Sequence, residues 1–193
     1  MGKNNIFKNA LILFAITLIS GALLGLVYEL TKDAIAEQGM LRQYAALDSI
    51  TPEVDTYNPL DVINDGDTAI EIREVLEIIK DNAVIGYNFI LDNNRGYYGR
   101  ITIAVGISSE GTINGIEIIS HTETAGLGSR ITEAGFKNQF KDEVAEPFKL
   151  GSSGTSGDNT IDSISSATVS SEAVVNGVNK AVNYYNEHLG GAQ

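Results

Sequence analysis

The run ITIAVGISSEGTINGIEII at residues 101–119 decides how this chain folds. Ile101, Ile103, Val105 and Ile107 alternate with Thr102, Ala104 and Gly106, the period of two that belongs to a strand with a buried face. Residues 108–111 (SSEG) carry turn chemistry, and the β-branched run 113–119 follows, so the two segments pair as an antiparallel hairpin. Upstream, residues 70–79 and 84–91 form a second pair of the same kind around Lys80-Asp81-Asn82-Ala83. Downstream the period changes. Residues 131–141 offer Ala134, Phe136 and Phe140 as a partial helical face, and within 171–189 Val174, Val178, Ala181, Val182 and Tyr185 recur at helical steps. The expectation is an α+β fold, a twisted antiparallel sheet packed with helices.

Ahead of this lies a segment of another character. Residues 9–28, NALILFAITLISGALLGLVY, hold no charge and are long enough for a helix to cross roughly 30 Å of hydrocarbon. The rival reading is a secretory signal cleaved near Ala34-Ile35-Ala36, but a signal's apolar region spans only about 7 to 15 residues. We read one N-terminal transmembrane helix. Lys3 and Lys8 precede it while Glu29 and Asp33 follow, which puts the amino terminus in the cytoplasm and the C-terminal domain on the extracytoplasmic side of the cell (inner) membrane, with a single pass. Gly21 and Gly25 form a G-x-x-x-G pair that lets another helix approach. Residues 31–47 keep helical composition, and Pro52 and Pro59, among Asp55, Asn58 and Asp61, mark irregular linker. Three regions are therefore expected: 1–30, the cytoplasmic tip and span; 31–66, a membrane-proximal helix and linker; and 67–193, an extracytoplasmic domain.

Composition narrows the chemistry. With no cysteine among 193 residues there is no disulfide frame, no thiolate nucleophile and no Cys-ligated metal, so redox work needs a borrowed cofactor. The net charge is −12, and Lys3 and Lys8 put +2 in the first 28 residues, so the remainder carries −14 and repels nucleic acid. GSSGTSGD at 151–158 reads as a flexible loop.

Three stretches are left over by sheet and helix packing. GYYG at 96–99 is an aromatic turn between glycines. HTETAGLG at 121–128 puts His121, Glu123, Thr124, Gly126, Leu127 and Gly128 in one loop between a strand and a helix, where glycines let a ligand reach backbone N–H groups. DSISSATVSS at 162–171 places six hydroxyls just before the last helix; Ser170 or Ser171 reads as the helix N-cap, and the helix start favours an anion.

Together these stretches resemble the FMN-binding domain shared by the RnfG and NqrC subunits of ion-translocating electron-transfer complexes. The family's attachment motif D-x-x-(S/T)-G-A-T is matched by Asp162, Ser165, Ala167 and Thr168, with Ser166 in place of the glycine. The loop H-x-E-T-P-G-L-G is matched from His121 to Gly128, with Ala125 in place of the proline. GYYG and Val105-Gly106-Ile107 correspond in order, and the length of the chain, the single span and the short linker sit nearer RnfG. The resemblance implies FMN held by a phosphoester on Thr168. Ser165, Ser166, Ala167, Ser170 and Ser171 would lie about its phosphate, and Asp162 would belong to the flavin-transfer motif. Thr124, Leu127, Gly126 and Gly128 would stand beside the ring, with Glu123 and His121 nearby and Lys149 reaching its pyrimidine end. No catalytic residue or metal ligand of the chain's own is implied. The resemblance further implies an electron-relay subunit of a complex coupling ferredoxin:NAD electron transfer to sodium or proton translocation. Its partners would be the other membrane and redox subunits, and a flavin transferase using FAD and magnesium during maturation. The alternatives are a membrane-anchored extracytoplasmic binding or scaffold module without flavin, and a stand-alone flavin reductase.

Overall fold

The structure is a computed structural model that describes residues 3–63, 66–152 and 159–190. Most of the run read as a flexible loop, residues 153–158, lies outside the described residues. The chain divides into two compact units, Met1–Arg42 and Gln43–Gln193.

The first unit is helical. Helix α1 runs over Lys3–Ile50, so the composition read separately at 9–28 and 31–47 forms one element, and it is long and apolar enough to cross a membrane. Leu13, Leu24 and Leu26 are among many apolar side chains exposed on it.

The second unit is built on a five-stranded antiparallel meander, β1 (Thr56–Leu60), β2 (Ile70–Lys80), β3 (Ala83–Gly96), β4 (Gly99–Ser108) and β5 (Ile113–His121), in that spatial order. Asp81 and Asn82 both take positive φ, 51° and 63°, which makes the two-residue turn whose twist matches the flanking strands. On β4, Ile101, Ile103, Val105 and Ile107 are fully buried on one face, under the last helix, α3 (Thr168–His188). That helix lies close: a Cβ on Gly177 would come within 2.8 Å of Ile103 Cδ1. Its Val174, Val178, Ala181 and Val182 are completely buried, so the stripe read from the sequence packs as expected.

The other face of the sheet is covered by the end of α1. Ala46, Leu47 and Ile50 pack on Leu76, Ile90 and Ala104, and the Gln43 amide donates to Glu74 at 2.7 Å. With both faces covered, β4 is buried from Ile101 to Ile107 without interruption.

Three local expectations are corrected. The segment taken as irregular linker contains β1, with Pro59 opposite Leu76; β1 is an edge strand, where the missing N–H of proline costs no ladder bond. The helix expected over 131–141 is three short turns, a 3₁₀ turn at Gly128–Thr132, α2 at Ala134–Lys137 and a second 3₁₀ turn at Asn138–Phe140. Extended backbone at Glu133 interrupts them. The last helix begins at Thr168, three residues before the expected start, with Ala167 as N-cap and no side-chain cap. Ser170 and Ser171 are therefore first-turn residues and cap nothing. A short parallel pair, β6 (Lys149–Gly151) with β7 (Thr160–Asp162), delivers the chain to that start.

Candidate functional site

The hydroxyl run leaves β7 and turns sharply into α3. The Ala167 N–H donates to the Ile164 carbonyl at 2.9 Å, closing a β-turn with Ser165 and Ser166 at its centre. Ser166 has φ 66°, the left-handed region where glycine is at home. This is the position at which the family motif carries glycine. Ser171, fully buried, staples the turn: its Oγ accepts from the Ile164 N–H at 3.0 Å and donates to the Ala167 carbonyl at 3.0 Å. Ser170 is also buried and donates to Glu123 Oε2 at 2.6 Å. Both serines are thus committed within the protein, which corrects the expectation that they would serve a phosphate. Ser165, Ser166 and Thr168 are exposed, and Ser163 is half-buried. Thr168 is the first residue of α3, where the opening N–H groups have no intrahelical carbonyl to bond.

The opposite wall comes from two loops at one end of the sheet. After β5, Leu127 and Ser129 donate N–H to the Thr124 carbonyl, and the Gly126 N–H donates to Ser129 Oγ, so 124–129 is a tight self-bonded turn. Between β3 and β4, Tyr97 and Tyr98 stand edge to face with ring centroids 4.9 Å apart. Thr122 Oγ1 donates to the Tyr98 carbonyl at 3.0 Å, joining the two loops.

Between the walls is a cleft of about 510 Å³ bordered by Tyr97, Tyr98, Glu123, Thr124, Leu127, Gly128 and residues 166–170. That size falls in the usual range for a small-molecule site. The three stretches left unexplained by packing meet here. Its apolar surface comes from Leu127 and Val169, each 46% exposed, and from the two tyrosines, more than 60% exposed. An aromatic ring system has apolar walls to lie against, and a phosphate has the start of α3. The residues present therefore fit FMN.

Of the residues singled out, Thr168, Ser166, Ala167, Thr124, Leu127, Gly128 and Glu123 border the cleft. Ser165 and Asp162 border a separate groove with Arg130, Glu133 and Gln139, where the Gln139 amide brackets the Asp162 backbone, accepting from its N–H at 2.6 Å. His121 turns inward along its own loop, its Nδ1 accepting from the Glu123 N–H at 3.1 Å. Gly126 and Lys149 are not among the bordering residues, and Lys149 lies in β6. Tyr97, Tyr98 and Val169 border the cleft without having been assigned to it, and Ser170, expected beside a phosphate, borders it with its hydroxyl committed to Glu123. For the tyrosines, the glycine-flanked aromatic turn was the available signal.

The profile of the FMN-binding domain matches residues 96–183, the interval from the tyrosine turn through most of α3, and that of the RnfG N-terminal region matches residues 1–50. In fold the chain is similar to the crystal structure of the C subunit of Na⁺-translocating NADH-quinone reductase from Parabacteroides distasonis, with TM-score 0.60 and 19% identity over 78% of this chain and 92% of that one. It is thus a protein with a long apolar N-terminal helix, a candidate membrane span, and an FMN-binding domain. It is 31% identical to the G subunit of the Na⁺-translocating ferredoxin:NAD⁺ oxidoreductase complex of Acetobacterium woodii, over 93% of this chain and 91% of the relative. It is 32% identical to the G subunit of the ion-translocating oxidoreductase complex of Methanosarcina acetivorans, over 97% and 98% respectively. The chain belongs to the RnfG family, the G subunits of ion-translocating oxidoreductase complexes.

Proposed function

We propose that this chain is the flavin-bearing electron-relay subunit of a membrane complex that couples ferredoxin:NAD electron transfer to sodium or proton translocation, with FMN joined to Thr168 through a phosphoester. The observation that carries the attachment reading is the division of the six hydroxyls. Ser170 and Ser171 are buried and bonded, whereas Thr168 is exposed, borders the cleft and opens α3.

In maturation a flavin transferase presents FAD with magnesium. The Thr168 hydroxyl would be the acceptor for the FMN half of FAD, its proton passing to the transferase or solvent as its oxygen bonds the flavin-side phosphorus, with AMP as the leaving group of the broken pyrophosphate link. Asp162, outside the cleft on the groove with Arg130 and Gln139, serves that encounter with the transferase rather than the finished site. Ser166 and Ala167 carry the turn that aims Thr168, and Ser165 stands beside it. The opening N–H groups of α3 then offset the phosphate charge, worth roughly 0.3 to 1 kcal/mol. Thr124, Leu127 and Gly128 border the ring end, while His121 and Gly126 shape the loop behind it.

FMN supplies one- and two-electron transfer. The protein's part is to hold the ring against Leu127 and the tyrosines with one edge open to a neighbouring redox subunit. The amino terminus lies in the cytoplasm, α1 spans the cell membrane once, and the domain is extracytoplasmic, following Lys3 and Lys8 before the apolar run and Glu29 and Asp33 after it. A covalent tether suits that side, where a dissociated cofactor is lost by dilution.

Co-production with a flavin transferase, followed by in-gel fluorescence of the denatured protein, tests this reading. The wild-type band should glow and Thr168→Ala should be dark with its circular dichroism unchanged. A dark wild-type band would favour a scaffold without flavin.

A further inference from the structure

We infer that Glu123 is a positioning residue, a carboxylate clasp that holds the two walls of the cleft in register, and that its two oxygens are a reason for glycine at positions 96 and 128. The inference rests on the flavin reading above for its purpose, though its geometry stands alone. Glu123 is 8% exposed. Its Oε1 accepts from the Tyr98 N–H at 3.2 Å, and its Oε2 accepts from the Ser170 hydroxyl at 2.6 Å. These partners belong to different walls, one in the aromatic turn between β3 and β4, the other two residues after Thr168.

The glycines support the same assignment. A Cβ on Gly96 would meet the Gly99 carbonyl of its own turn and stand 2.7 Å from Glu123 Oε1, and one on Gly128 would stand 2.5 Å from Oε2 and 2.7 Å from Ser170 Oγ. These distances are below any real Cβ contact, and each glycine meets the same carboxylate. Neither glycine has positive φ in the structure, so conformational freedom does not account for them. Gly128, read from the sequence as opening backbone to a ligand, instead clears space for Glu123. A charged acceptor holding two donors inside the protein is engaged with its own walls, and a charge-assisted bond is about twice as strong as a neutral one. The anchor point and the ring surface are thereby tied through one side chain.

The test follows the Tyr98 amide by hydrogen exchange in the full-length protein in detergent, with and without co-produced flavin transferase. Glu123→Ala should speed that exchange by about tenfold or more, because a charged acceptor is lost. Ser170→Ala changes only the opposite wall, yet it should speed Tyr98 exchange too, and the double variant should be no faster than Glu123→Ala. Glu123→Gln should recover most of the protection, since a carboxamide accepts from Tyr98 and donates to Ser170. In the flavinylated variants FMN should remain on Thr168 by peptide mass while flavin fluorescence anisotropy falls. Tyr98 exchange unmoved by Ser170→Ala, or Glu123→Gln no better than Glu123→Ala, would overturn the clasp. If Glu123→Ala does not fold, Ser170→Ala decides the same question, with Glu123→Gln then compared with wild type, whose Tyr98 protection it should nearly match. A wild-type protein without flavin would defeat the functional proposal, and exchange in the flavin-free chain would still decide this one.

Discussion

The two walls of the cleft are held by opposite means. The acceptor wall is bonded to itself: Ile164, Ala167 and Ser171 close a turn within eight residues of chain, and the exposed Thr168 follows directly. The ring wall is assembled from distant pieces, the Tyr97-Tyr98 turn and the loop after β5, joined through Thr122 and Glu123. On the proposed attachment, a short, locally bonded segment suits a feature that a flavin transferase would recognise by its motif. A surface drawn from distant loops suits a ring environment that can be tuned without touching the anchor. Attachment and tuning should therefore respond to different substitutions.

The largest effect should come from breaking the acceptor wall at its staple. Ser171→Ala leaves the buried Ile164 N–H without its acceptor, a loss of about 1 to 3 kcal/mol in unfolding free energy. Flavin occupancy should fall with it, while Ser165→Ala, at an exposed position, should change neither; denaturant melts paired with intact mass would show the contrast. On the ring wall, Leu127→Asp should leave FMN attached and lower its midpoint potential by on the order of 1 kcal/mol per electron, because a carboxylate opposes added negative charge. A spectroelectrochemical titration measures this, and an unchanged potential would remove Leu127 from the ring surface.

Ser166→Gly sharpens the comparison in the other direction. Relief of the left-handed backbone at φ 66° should raise stability by about 1 kcal/mol and speed flavinylation without shifting the flavin spectrum. The smallest effect lies away from both walls. Asp67 is held below its ordinary pKa of 3.8, above all by the Ala69 N–H it accepts; burial opposes this as the next largest effect, and the Ile70 N–H, Lys180 and Arg95 add smaller depressions. A depressed carboxyl contributes stability above 3.8 that is lost as the pH falls through its folded value. Asp67→Asn should thus be slightly less stable than wild type near neutrality, and the two melting curves should converge in acid.

Much of the sheet was legible because its signals are local. The alternation at Ile101 to Ile107 and the Asp81-Asn82 turn need no knowledge of distant residues. β1 was hidden by Pro59, which reads as a break unless the strand is known to lie at an edge. The start of α3 was obscured because serines that look like caps are bonded elsewhere, Ser170 to a residue 47 positions away. The site followed the same division. The hydroxyl run and the glycine loop could be quoted as motifs, but what Glu123 does depends on Tyr98 and Ser170. Nothing in the spacing of those residues announces that they meet. Tyr97 and Tyr98 stood out as an aromatic turn, and only the packing of the loops brings them to the cleft.

The central claim is that the acceptor wall presents one particular oxygen. Peptide mass spectrometry across residues 162–171 of wild-type protein, co-produced with a flavin transferase, tests it most directly. FMN should be found on Thr168, with Ser163, Ser165, Ser166, Ser170 and Ser171 unmodified. FMN on any of those serines with Thr168 bare, or an unmodified peptide despite a competent transferase, would contradict it.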